Sequence, residues 1–244
     1  NDDSHSEAVL GRALAGRRSE SVIATKISAA HLLPELIEET CEASLERLQT
    51  DYIDFYQCHI REHPHLDVFL EAFEHLLQLG KIRAYGTSSF ITEEIQLFDR
   101  HTRCHVVQLP HSVLDRAYER DVLPLCSSLN IGTLIRGPLA QGVLTGKFTP
   151  DHVFDDETRS DWNTGNAHAR FQTRVAAAEK LRPLTMEDKS MGQLALAFTL
   201  SREGVTCAIP GARSPEQARA NAAASNISLT SDELSLMETL HPLT

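Results

Sequence analysis

Tyr52–His59 reads YIDFYQCH and Arg83–Ser88 reads RAYGTS. Both runs are short, rich in aromatic and β-branched residues, and too apolar for an amphipathic helix, so each predicts a buried strand. Between them, Leu66–Leu79 has helical periodicity and stops at Gly80, a residue suited to a helix end. Strand, helix, strand in this order predicts parallel strands joined by a helical crossover. The same alternation continues in both directions. Further strands are expected at Ser21–Lys26, Val106–Pro110, Thr133–Arg136 and Val205–Pro210.

The helices are equally marked. Pro34 is placed for a first helical turn, and Leu36, Ile37, Cys41, Leu45 and Leu48 recur on one face after it. A helix is also expected over Ser6–Ala15. Thr92 is a candidate cap, and Ser190 caps a helix expected to run to Gly204. Ser214-Pro-Glu-Gln and Thr230-Ser-Asp-Glu have the capping-box pattern. A doubly wound sheet would carry a glycine-rich turn after its first strand, and neither GxGxxG nor GxxxxGK[ST] occurs. The expected fold is therefore α/β, a (β/α)8 TIM barrel in one domain over residues 1–244. Only six strands can be read where a closed barrel needs eight. The barrel is thus expected to be incomplete at the N-terminus, with further residues before Asn1 supplying two strands. The polar stretch Phe148–His168 reads as an insertion or a mobile loop.

Composition narrows the function. The 244 residues are 41% hydrophobic with a net charge of −11, so a sizeable core is expected. An acidic chain without a basic block is no nucleic-acid binder. No run of about 18 apolar residues is present to span a membrane. Five scattered cysteines, odd in number and without a CxxC pair, suit reduced thiols in the cytoplasm.

In a parallel barrel, chemistry sits at the carboxyl ends of the strands. Those positions are Lys26, His59, Ser88 and Ser89, Gln108, Arg136 with Gly137, and Pro210 with Gly211. Carboxylates are scarce among them, which disfavours a glycosidase pair or a carboxylate metal site. His59, His63 and His65 have the look of a metal cluster, but Pro64 breaks their spacing and no cysteine or carboxylate completes a tetrahedral set. No metal is expected, and chelation should leave function unchanged. On the residues alone, His59 is a satisfied buried histidine, and Lys26 a strand-end lysine reaching solvent. Two loops suit an anion. One is Gly137-Pro138-Leu139-Ala140-Gln141-Gly142, followed by Lys147. The other is Pro210-Gly211-Ala212-Arg213, just before the capped helix at Ser214.

From Ser6 to about Asn221 the chain resembles the aldo-keto reductases, NADP(H)-dependent (β/α)8-barrel enzymes. HSEAVLGRAL is similar to the family segment after the second strand. ATK puts Lys26 at the catalytic lysine, and YIDFYQCH puts His59 at the catalytic histidine. GKIRAYGTSSF is similar to the stretch whose Ser-Asn pair holds the nicotinamide carboxamide; here the pair is Ser88-Ser89. Gln108 in VVQLP matches a glutamine that contacts the same group. RGPLAQGVLTGK resembles the pyrophosphate loop, with Arg136, Gly137, Pro138, Leu139, Gln141, Gly142 and Lys147. IPGARSPEQARAN resembles the adenosine-phosphate segment, with Pro210, Gly211, Arg213, Gln217 and Asn221.

The resemblance implies NADPH-dependent reduction of an aldehyde or ketone to an alcohol, with a small-molecule carbonyl as partner and homo-oligomerisation left open. It implies that His59 orients the carbonyl oxygen and that Lys26 lowers the pKa of a tyrosine proton donor. That tyrosine, with the family's aspartate, is expected at about position 1 or before it. The departures are Ser89 in place of asparagine and Arg136 where many relatives carry an aromatic residue. Two other functions fit the same residues: a cofactor-binding regulatory module, as in potassium-channel beta subunits, and a lyase or dehydratase without net redox change.

Overall fold

A computed structural model describes residues 5–28, 33–59, 66–88, 91–101 and 104–240. In chain order the elements are α1 (His5–Ala13), β1 (Ala24–Ile27), α2 (Pro34–Leu48), β2 (Ile53–Cys58), α3 (Leu66–Gln78), β3 (Ile82–Thr87), α4 (Thr92–His101) and β4 (Val106–Pro110). They continue with α5 (Val122–Ser128), β5 (Gly132–Arg136), α6 (Gly165–Glu179), α7 (Met191–Leu200), β6 (Cys207–Ala208), α8 (Pro215–Ala223) and α9 (Ser231–Leu240). The strands form one sheet in sequence order, with parallel pairing at each recorded register. Two compact units emerge, Asn1–Leu109 with Leu125–Thr133, and Pro110–Pro124 with Leu134–Thr244.

In the first unit the helices cover one face of the sheet. Tyr56 and Tyr85, neighbours in register on β2 and β3, are fully buried there. Phe73 of α3 meets both rings, at 5.5 and 5.4 Å. Ile37, Cys41, Leu45 and Leu48 bury the inner stripe of α2, whereas Leu36, expected on that stripe, is exposed. It lies one residue, about 100°, around the helix from Ile37. β1 starts three residues later than expected because the Ile23 N–H donates to the Asp54 carboxylate at 2.9 Å and not to a strand.

Gly86 of β3 lets the chains approach where the sheet is tightest. A Cβ there would stand 1.8 Å from the Val106 carbonyl oxygen. Backbone cannot rotate away from such a contact as a side chain can. Gly86→Ala is therefore expected to destabilise the protein by at least about 1–3 kcal/mol, the usual cost of overpacking. An unchanged urea midpoint would contradict this.

The second unit is built on an apolar cluster that includes Leu144, Phe148, Phe154, Phe171, Val175, Leu194 and Phe198. The stretch expected to be a loose insertion is held by it. Phe148, Phe154 and Phe171 stack edge to face, Trp162 joins them, and Arg159 lies over the Phe154 ring at 4.6 Å. α7 has the expected cap at Ser190, with the reciprocal bonds of a capping box. It ends at Leu200, before the expected Gly204, where the Ser201 hydroxyl donates to the Phe198 carbonyl. α9 carries the other box: Glu233 N–H donates to Thr230 Oγ1 and Thr230 N–H to the Glu233 carboxylate. Lys189 adds an ion pair to that carboxylate at 2.6 Å.

Candidate active site

Register and pleat bring the predicted polar residues of the first unit to one face. Lys26 pairs with Gln57, Gln57 with Gly86, and Gly86 with Val106. Side chains alternate along a strand, so His59, Ser88 and Gln108, each two residues further on, share that face. The ladder reaches them: His59 N–H donates to the Ile27 carbonyl at 2.8 Å and Ser88 N–H to the Cys58 carbonyl at 2.9 Å. This is the face opposite the tyrosines. Tyr56 is a packing residue, since burial pushes its phenol far above the ordinary range.

Exposure is graded along the row. Gln57, Ser88 and Gln108 are buried, Lys26 is partly exposed and His59 is exposed. Gln108 Nε2 donates to Gln57 Oε1 at 3.3 Å. On this row two buried polar atoms have no hydrogen-bond partner, Ser88 Oγ and Gln57 Nε2. Buried polar groups in folded proteins nearly always have partners. A hydroxyl beside an amide pair is a donor and acceptor set that complements a carboxamide, so these residues fit that part of a nicotinamide. Ser89 lies outside the described residues, as do His63 and His65. Among the described residues no group of three His, Cys, Asp or Glu could hold a metal ion. No helix among them is long and apolar enough to cross a membrane.

The second unit holds the two expected anion loops. After Arg136, Gly137 and Gly142 adopt positive φ, and so do Ala140 and Gln141, where side chains make it costly. The strain is held by a set of bonds. Gly142 N–H and Leu144 N–H converge on the Leu139 carbonyl, Thr145 Oγ1 donates to the Gly142 carbonyl at 2.6 Å, and Arg159 donates to the Gln141 carbonyl at 3.3 Å. Phe148 closes the space beside Gly142, standing 3.2 Å from where a Cβ would be. Pro138 is buried and Leu139 packs on the apolar cluster, so what these two offer a ligand is backbone. Arg136, Gln141 and Lys147 are exposed.

At the other loop, Ser214 caps α8 by accepting from Gln217 N–H at 3.2 Å. The expected reciprocal bond is displaced: Gln217 Oε1 accepts instead from Arg213 N–H at 2.8 Å. Asn221 Nδ2 donates to the Gly211 carbonyl at 3.3 Å. Gln217 and Asn221 thus fold Pro210–Arg213 back onto the helix, and the Arg213 guanidinium stays exposed. A Cβ on Gly211 would meet nothing within 4 Å. Asp156 feels Arg213: its carboxyl lies below the usual range, held there first by Arg159 and further by Arg213. An exposed guanidinium at a preformed helix N-terminus suits a phosphate.

Residues 2–241 match the model of the aldo/keto reductase family. The chain is 33% identical to the aldo-keto reductase YhdN of Bacillus subtilis, over 93% of this chain and 73% of that protein. It is 34% identical to the NADH-specific methylglyoxal reductase of Escherichia coli, over 85% of this chain and 64% of that one. Among solved structures, the aldo-keto reductase of Klebsiella pneumoniae in complex with NADPH superposes with a TM-score of 0.78 at 30% identity, covering 99% of this chain and 77% of that one.

Proposed function

Because the chain belongs to the aldo/keto reductase family, with its (β/α)8-barrel fold, we infer that it uses NADP(H) to reduce an aldehyde or ketone to an alcohol. The observation that carries the reading is the row His59–Ser88–Gln108 with its unsatisfied Ser88 hydroxyl. NADP(H), when bound, supplies the hydride. Ser88 and Gln108 hold the nicotinamide carboxamide, and Ser89, as the second residue of the serine pair, is assigned to the same group. His59 donates a hydrogen bond to the carbonyl oxygen and so orients it. Lys26, on the same face, keeps a positive charge that favours the deprotonated form of a neighbouring acid and stabilises negative charge developing on oxygen. In the second unit, Arg136, Gly137, Pro138, Leu139, Gln141, Gly142 and Lys147 form the pyrophosphate loop. Pro210, Gly211, Arg213, Gln217 and Asn221 form the adenosine-phosphate loop. The whole chain acts as one barrel domain on a small-molecule carbonyl.

A cytoplasmic location accords with five free thiols, four of them buried. Burial pushes Cys41, Cys104 and Cys126 up to about 12, which leaves them inert as thiolates.

The test is NADPH oxidation with a panel of small aldehydes and ketones, followed by identification of the alcohol. Methylglyoxal belongs first in the panel, since a relative is a methylglyoxal reductase. Cofactor binding without turnover of any carbonyl would overturn the reading.

Cofactor choice rests on Arg213. A bidentate, charge-assisted pair with the adenosine 2′-phosphate contributes about 1.5–3 kcal/mol, or about 10–150-fold in affinity. Arg213→Ala should weaken NADPH by that factor and leave NADH nearly unchanged. Equal losses for both would assign the arginine to the shared pyrophosphate.

A further inference from the structure

We propose that Gln57 is a positioning residue for the cofactor's carboxamide end, acting through Gln108. The inference rests on the reading of Gln108 as a carboxamide partner. Gln57 lies two residues before His59, in the middle of β2, and is fully buried. A glutamine there is costly unless its amide is used. Half of it is used: Gln57 Oε1 accepts from Gln108 Nε2 at 3.3 Å. The two residues are 51 apart in sequence and on strands separated by β3. They meet because Gly86, the register partner of Gln57 on β3, offers no side chain between them.

With Gln57 presenting its Oε1, the bond sets which way the Gln108 amide points. An amide is a donor at one end and an acceptor at the other, and a free glutamine side chain samples both orientations. With Gln108 Nε2 committed to Gln57, Gln108 Oε1 is the end left to accept from a carboxamide NH2. Ser88 Oγ–H remains to donate to the carboxamide oxygen. A flipped Gln108 would set NH2 against NH2. Gln57 therefore prepays the orientation, touching Gln108 and not the ligand. Removing it should cost affinity only for ligands that carry the nicotinamide end.

The test compares two probes, NADPH and adenosine 2′,5′-bisphosphate, the second lacking the nicotinamide. Their dissociation constants are measured by calorimetry on the wild type, Gln57→Met, Gln57→Glu, Gln108→Met and the Gln57→Met/Gln108→Met double variant. Gln57→Met keeps length and removes the acceptor; Gln57→Glu keeps an acceptor for Gln108 Nε2. The expected result is a loss of about 3–10-fold for NADPH in Gln57→Met, as for one neutral hydrogen bond, with the bisphosphate unchanged. Gln57→Glu should keep the wild-type ratio of the two constants, and the double variant should lose no more than Gln108→Met alone. If Gln108→Met leaves the ratio unchanged, the carboxamide reading of Gln108 fails. If Gln108→Met changes the ratio but Gln57→Met does not, or if the two losses multiply, only the positioning role fails. Equal weakening of both probes in Gln57→Met would make Gln57 a packing residue and overturn the proposal.

Discussion

Replacing His59 by leucine is expected to lower kcat/KM for carbonyl reduction by about 10²–10³, the usual cost of removing one hydrogen-bond donor to a developing oxyanion. The dissociation constant for NADPH should stay within about twofold, because the interaction lost is made in the transition state. His59 is exposed at the end of β2, so the variant should fold. Lys26→Met should give a loss of the same order, since it removes the positive charge from the same face. Steady-state kinetics and calorimetric cofactor titrations on both variants decide the matter. An unchanged kcat with a raised KM would make His59 a binding group only.

The largest expected effect on stability lies away from this row, at Glu119. Its carboxylate accepts from Arg116 through two nitrogens, at 2.8 and 2.7 Å, and from His111 at 2.7 Å. The His111 and Arg116 side chains are only 0% and 5% exposed. Phe198 lies beside both, stacked with the imidazole. Removing one member of such a set strands a buried charge, at a cost of about 3–5 kcal/mol. Glu119→Ala should therefore lower the thermal midpoint by about 10 °C. Burial pushes the Glu119 carboxyl up, but the bonds from Arg116 and His111 outweigh it and bring it to about 2. A depressed carboxyl contributes stability above its ordinary value, here 4.5, and loses it as pH falls towards 2. The gap between wild type and Glu119→Gln should then be constant near neutrality and shrink between pH 4.5 and 2. A loss below about 1 kcal/mol at pH 7 would assign the triad to the surface category of weak ion pairs.

Much of this was legible in the chain. Val106–Pro110 is the strand its composition predicts, and Pro34, Ser190 and Thr230 start helices because each supplies a backbone or side-chain feature a first turn needs. Lys26, His59 and Ser88 could be placed because strand ends can be read from where apolar runs stop, whereas Gln108 sits in the middle of β4. What sequence could not supply is pairing across strands. Gln57 looked like an interior residue of a buried strand, and only the register against Gly86 and the bond to Gln108 give it a role. The Glu119 triad escaped notice because His111, Arg116 and Glu119 lie outside every strand and helix that the sequence pattern marks, and only the fold brings them together. Phe148–His168 read as an insertion or a mobile loop because its three clustered rings, Phe148, Phe154 and Trp162, are diluted among polar residues and pack on Phe171 beyond it. β6 shrank to two residues because only Cys207 and Ala208 find register partners on β5, at Leu134 and Ile135.

The central claim is hydride transfer to a carbonyl, and one measurement reaches it directly. The protein is incubated with methylglyoxal and the other small carbonyls together with NADPH deuterated at the transferring position of C4, and the products are weighed by mass spectrometry. The account predicts an alcohol carrying one deuterium for each NADPH oxidised, with the label on the former carbonyl carbon. An unlabelled product formed without cofactor oxidation, or bound NADPH with no product from any carbonyl, would contradict it.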